Sequence, residues 1–163
     1  MVRIDGPVVL SVNAIFLSDW YSETDEVLQE IDISHAETGS GDLDCQVVPS
    51  GPGFEVENNL RLFLGLLYAA KEKIMIVSPY FVPDEALLLA VTAAVDRGVA
   101  VELFVSEEGD QAMVYHAQRS YYEALLKAGV RIWMYRKPYI LHTKSLTICL
   151  LYTSDAADDM QCV

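Results

Sequence analysis

The chain has 163 residues, room for one domain of ordinary size but not for two complete ones. Apolar residues make up 52% and charged residues 21%, which excludes disorder over most of the length. Lys and Arg number 11 against 24 Asp and Glu, a formal charge of -13, so a general nucleic-acid binder is excluded. A phosphate-handling enzyme with one local cation stays open.

Pro7 opens an apolar-periodic run that predicts a helix from about Val8 to Leu28. Val8, Val12, Ile15, Phe16 and Trp20 form its stripe, and a lone helix with such a stripe needs a partner. Between Gln29 and Asp44 the pattern dies among Glu30, Asp32, Glu37, Asp42 and Asp44, as in a solvated acidic linker; His35 lies there as a solvated side chain.

Beyond Cys45 the pattern becomes regular. Gln46–Pro49 reads as a short strand, Ser50–Gly53 as a turn, and Val56, Leu60, Phe63, Leu64 and Leu67 as one face of a helix. Lys73–Ser78 reads as a buried strand. Asp84 can cap a helix running to Arg97, with Gly98 in the left-handed position that ends it. Val99–Val105 is the next strand. Asp110 can cap a third helix with Val114, Ala117, Tyr121 and Leu125 inward, His116 on its flank and Gly129 at its end. Val130–Tyr135 follows as a strand, with Val130, Ile132 and Met134 alternating against Arg131, Trp133 and Tyr135. Helices alternating with apolar strands predict an α/β fold: a mixed, largely parallel sheet with helices on both faces.

Cys45, Cys149 and Cys162 have neither C-x-x-C spacing nor an even count, which points to a reducing compartment and away from a zinc site. The first residues lack the apolar core of a signal peptide. No apolar stretch approaches the ~20 residues that span a bilayer. Glu107, Glu108 and Asp110 are better explained by a solvated turn and a helix cap than by a metal. Neither G-x-G-x-x-G nor a P-loop is present.

Chemistry concentrates in Leu141–Ile148. Strand alternation would put His142, Lys144, Leu146 and Ile148 on one face, with His142 and Lys144 about 7 Å apart. A phosphate fits between such a pair. Lys144 would bind its oxygens and, by like-charge repulsion, favour a neutral imidazole able to act as nucleophile or general base. Tyr80 and Phe81 sit at the C-terminal end of a strand, where open α/β sheets place ligand-contacting loops.

The runs Val77-Ser78-Pro79-Tyr80-Phe81-Val82-Pro83-Asp84, Arg119-Ser120-Tyr121-Tyr122-Glu123, Ala128-Gly129-Val130 and His142-Thr143-Lys144 resemble those of the bacterial cardiolipin synthases, of the phospholipase D superfamily. Gly6–Val9 and Phe16–Tyr21 resemble the helix closing that family's first catalytic domain, and Val47–Pro52 the opening of its second. The resemblance implies residues 1–30 as that closing helix, 31–45 as linker and 46–148 as a second, incomplete phospholipase D-like domain. Residues 149–163 resemble a translated sequencing adapter and read as a non-native tail.

The resemblance further implies two H-x-K-x4-D motifs meeting in one active site. One histidine forms a phosphohistidine, the other protonates the leaving alcohol, and neither a metal nor another cofactor takes part. His142 and Lys144 match the second motif as catalytic residues, and Tyr80 and Phe81 are expected to bind substrate. The expected partners are phosphatidylglycerol, the membrane surface and the first catalytic domain, with no nucleic acid; the expected location is the bacterial inner membrane. Two departures stand out: Cys149 occupies the motif's Asp position, and no Gly-Ser-x-Asn segment follows. The implied function is that of a phosphatidyltransferase fragment, inactive alone and left with an exposed sheet edge at Thr143–Ile148. The alternatives are a phospholipase D-type phosphodiesterase that hydrolyses its substrate, or a truncated module without catalysis.

Overall fold

The computed structural model describes residues 3–28, 43–51, 53–54, 56–109 and 111–149. His35, Asp110, most of the acidic linker and residues 150–163 lie outside them. The chain divides into two units, Met1–Asn59 and Leu60–Val163.

In the first unit, helix α1 spans Val8–Thr24 and none of its residues is buried. It stops short of the expected Leu28. Ser22 and Thr24 donate their hydroxyls to Ser18 and Trp20 carbonyls, and Asp25 takes the left-handed conformation at φ 55°. Phe16 and Trp20 touch, with ring centroids 6.1 Å apart. The expected strand at Gln46–Pro49 is absent. Among the described residues that stretch pairs with no strand, and the Asn58 side-chain amide donates to the Pro49 carbonyl at 3.1 Å. Two valines between polar residues and a proline make too short a ladder to form alone.

The second unit is the α/β sheet. Helix α2 (Asn58–Ala69) leads into β1 (Lys73–Val77), followed by α3 (Glu85–Asp96), β2 (Ala100–Ser106), α4 (Ala112–Ser120), α5 (Tyr122–Ala128), β3 (Arg131–Tyr135) and β4 (Ser145–Ile148). The strand order is β3-β2-β1-β4, with β1, β2 and β3 parallel and β4 antiparallel to β1. Mixed and largely parallel, it is the expected class. Asp84 caps α3 as expected, its carboxylate accepting from the Leu87 amide at 2.7 Å. Gly129 ends α5 at φ 102°.

The long third helix divides in two. Tyr121 donates its amide to the Gln118 carbonyl, and the Ser120 hydroxyl takes the Ala117 carbonyl, which breaks the regular i−4 ladder. Ile74, Ile76, Val101, Leu103 and Ile148 on one sheet face join Leu67, Ala90, Val91, Ala94 and Leu125 from the helices in one core. Each buried Val, Leu or Ile among them contributes about 1.5–3 kcal/mol. Met134, near the end of the edge strand β3, is exposed.

The opposite sheet face is built differently. Among the described residues it carries Lys73, Glu102 and Arg131, an ion-paired row across three strands, and a stacked Phe104–Trp133 pair at 6.5 Å.

Candidate active site

Strand direction explains where the site lies. Because β4 runs antiparallel to β1 with Ser145 opposite Val77, its start lies beside the C-terminal end of β1. Residues 78–83 leave the sheet at that same edge, where parallel sheets gather functional loops. After β3 the chain returns across this edge to reach β4. Ser106, the last residue of β2, fastens it there: its hydroxyl accepts from the Leu141 amide at 2.8 Å and lies 3.3 Å from the Leu141 carbonyl. The next residue is His142.

His142 and Lys144 do not stand apart on a strand. β4 begins only at Ser145, so residues 142–144 have no ladder to hold them extended. The Lys144 ammonium instead folds back, 3.1 Å from Nε2 and 3.4 Å from Nδ1 of His142, and donates to the His142 carbonyl at 3.1 Å. The 7 Å gap is therefore closed in this structure. The ammonium thus lies close to both ring nitrogens while its hydrogen bond goes to the backbone, so cation and imidazole form one compact group.

Tyr80 joins this pair. Its ring meets the His142 ring edge-on, with centroids 6.2 Å apart and planes at 83°, and the Lys144 ammonium lies 5.4 Å from the Tyr80 ring centroid. Phe81 is buried at 6% exposure. It lines a cavity of about 360 Å³ together with Phe63, Leu66, Leu87, Lys144 and Ser145. The cavity is mostly apolar with a few polar groups at one end, the usual make-up of a ligand site.

Two contributors carry weaker sequence signals. Ser106 closes an apolar strand, and a polar residue in that place is a cue to a special contact. Gln118 is 1% exposed on α4, where the expected inward residue was its neighbour Ala117. It follows Val114 by four and precedes Tyr121 by three, a spacing that reveals its inward position. The acidic turn is structural. The Glu107 carboxylate accepts from the Lys137 amide, and Glu108 pairs with the Lys137 ammonium at 3.3 Å. His116 is exposed on α4 beside Tyr115. Among the described residues no three His, Cys, Asp or Glu side chains gather as a metal site, and no helix is long and apolar enough to cross a membrane.

A family model described as cardiolipin synthase, PLD-like domain, matches residues 63–152, more than half of the chain. Cardiolipin synthase A of Serratia proteamaculans is 38% identical over 152 residues, covering 91% of this chain and 31% of that protein. Cardiolipin synthase of Halalkalibacterium halodurans is 38% identical over 147 residues, covering 89% of this chain and 29% of that protein. The chain thus spans about a third of the length of these curated relatives. A solved phospholipase D family member from Salmonella typhimurium overlays with a TM-score of 0.45 and 23% identity, over 56% of this chain and 57% of that one.

Proposed function

We propose that this chain, which belongs to the cardiolipin synthase PLD-like domain family, supplies one half of the active site of a phosphatidyltransferase. The observation that carries the reading is the Lys144 ammonium 3.1 Å from the His142 imidazole, beside an apolar cavity that Lys144 also lines. In a chain of charge -13, one cation at an imidazole is a specific attractor for a phosphodiester, not part of a general basic surface. The phosphate draws onto its own oxygens the Lys144 ammonium, which now donates to the His142 carbonyl. The glycerol and acyl portions of the lipid enter the cavity between Phe63, Phe81 and Leu87.

In the proposed reaction a histidine nitrogen forms a bond to phosphorus while the phosphorus–oxygen bond to the leaving glycerol breaks. The second histidine, from the first catalytic domain of the longer protein, gives that oxygen its proton. A hydroxyl of a second phosphatidylglycerol then returns a proton and attacks phosphorus, and the phosphorus–nitrogen bond breaks. Two phosphatidylglycerols become cardiolipin and glycerol. Lys144 stabilises the charge that builds on the phosphate oxygens. Residues 1–30 are proposed as the closing helix of the first domain, 31–45 as linker, 46–148 as the second domain and 149–163 as a non-native tail. The intact protein is proposed to work at the inner membrane surface, and this chain alone to be inactive.

The competing reading is hydrolysis, with water as acceptor. Product analysis of the longer protein on phosphatidylglycerol, with and without added glycerol-type acceptor, separates the two. Transfer gives cardiolipin in proportion to acceptor; phosphatidic acid as sole product under both conditions would establish the hydrolase instead.

A further inference from the structure

The segment that carries Tyr80 and Phe81 contains Pro79 and Pro83 and lies outside the sheet ladder, yet Phe81 is buried. A buried amide in such a segment must find an acceptor elsewhere. It finds one 37 residues away: Gln118 Oε1 accepts from the Phe81 amide at 2.6 Å. The other end of the same side chain, Nε2, donates to the Tyr122 hydroxyl at 2.7 Å. Only one orientation of the amide serves both partners, since reversing it would set an NH2 group against the Phe81 N–H. Burial pushes the Tyr122 phenol above its ordinary range, so it stays protonated and accepts from the amide. An apolar side chain of the same volume would pack equally well here but would leave the Phe81 amide orphaned.

The consequence reaches the site by one peptide. Phe81 is held by Gln118, and the adjoining Tyr80 meets His142 edge-on and lies under Lys144. Tyr80's own amide donates to the Ser78 hydroxyl at 3.1 Å, a contact within the turn. We propose that Gln118 is a positioning residue: by anchoring the Phe81 amide to α4 it holds the Tyr80 ring against the His142–Lys144 pair. Its importance for catalysis rests on the reading of His142 given above; its effect on geometry does not.

The test is NMR of the His142 imidazole in the 163-residue chain. Tyr80→Leu first defines how much of the His142 ring-proton shift comes from the Tyr80 ring. Gln118→Met, similar in size but without either hydrogen bond, is expected to lose most of that contribution. Gln118→Glu, whose oxygens still accept from the Phe81 amide and the Tyr122 hydroxyl, is expected to restore it. Tyr122→Phe, a milder change, is expected to lose part of it and serves if the Met variant does not fold. A His142 signal that keeps its full Tyr80 contribution in the folded Met variant, or in the Phe variant if only that one folds, overturns the proposal. Titration of inorganic phosphate into the parent chain reads the functional assignment separately. A response at His142 supports that assignment; no response counts against it while the Gln118 comparison still decides the positioning role.

Discussion

Replacing Glu102 by Gln tests the account of the second sheet face. Glu102 sits on the central strand β2 at 8% exposure, with Oε2 2.9 Å from the Lys73 ammonium on β1 and Oε1 3.1 Å from the Arg131 guanidinium on β3. One carboxylate therefore joins three strands. The amide keeps the volume, removes the charge and turns a donor toward one of two cations. Loss of a partner from a fully buried pair costs about 3–5 kcal/mol, whereas an exposed pair contributes about 0–1 kcal/mol. Lys73 and Arg131 are 37% and 58% exposed, so water screens both, and the expected loss is about 1–2 kcal/mol. For a chain of this length that lowers Tm by roughly 2–8 °C.

The pH dependence follows from the same contacts. The Lys73 hydrogen bond is the largest influence on the Glu102 carboxyl and, with the charges of Lys73 and Arg131, holds it below the ordinary range against the opposing effect of burial. A carboxyl with a depressed folded pKa stabilises fully above its unfolded pKa, and that stability is lost as pH falls through the folded value. Urea denaturation of parent and Gln variant, at neutral pH and below the ordinary carboxylate range, should show a deficit that shrinks in acid with m unchanged. Equal stability at neutral pH, or a deficit that persists undiminished in acid, would refute the reasoning.

Three further outcomes are expected. Asp84→Ala removes the cap on the Leu87 amide and should cost about 1 kcal/mol in denaturant titration. Gly129→Ala should destabilise by at least ~1 kcal/mol, because φ is +102° and the new Cβ would lie 3.0 Å from Val95 Cγ1; a neutral result would mean that α5 ends differently. Ser106→Ala leaves the Leu141 amide without its acceptor, so hydrogen exchange at Leu141 should quicken while core amides such as Leu103 stay protected.

Much of the second unit was legible because its signals are local. The apolar strands, the Asp84 cap and the glycines after α3 and α5 depend on a few neighbouring residues, and H-x-K could be noticed as a short string. The misses come from partners far along the chain and from side-chain hydrogen bonds that periodicity ignores. Gln46–Pro49 has strand-like composition but no partner to pair with. The break at Tyr121 depends on a hydroxyl and a tightened turn that periodicity does not register. Glu102 and its two cations come together from three different strands, a pairing no local pattern announces. Strand alternation also misplaced Lys144, since the strand starts only at Ser145 and the ammonium folds back onto the His142 carbonyl. Gln118 was passed over because its partner is an amide 37 residues away.

The most direct measurement of the central claim is the rate of cardiolipin formation from phosphatidylglycerol by the longer protein, with His142→Ala beside His116→Ala. His116 is exposed on α4 and outside the site, so its variant should keep the parent rate. A histidine acting in phosphoryl transfer contributes about 10²–10⁴-fold, so His142→Ala should lose at least ~10² in rate with lipid binding largely intact. Full activity in the His142→Ala protein would contradict the account.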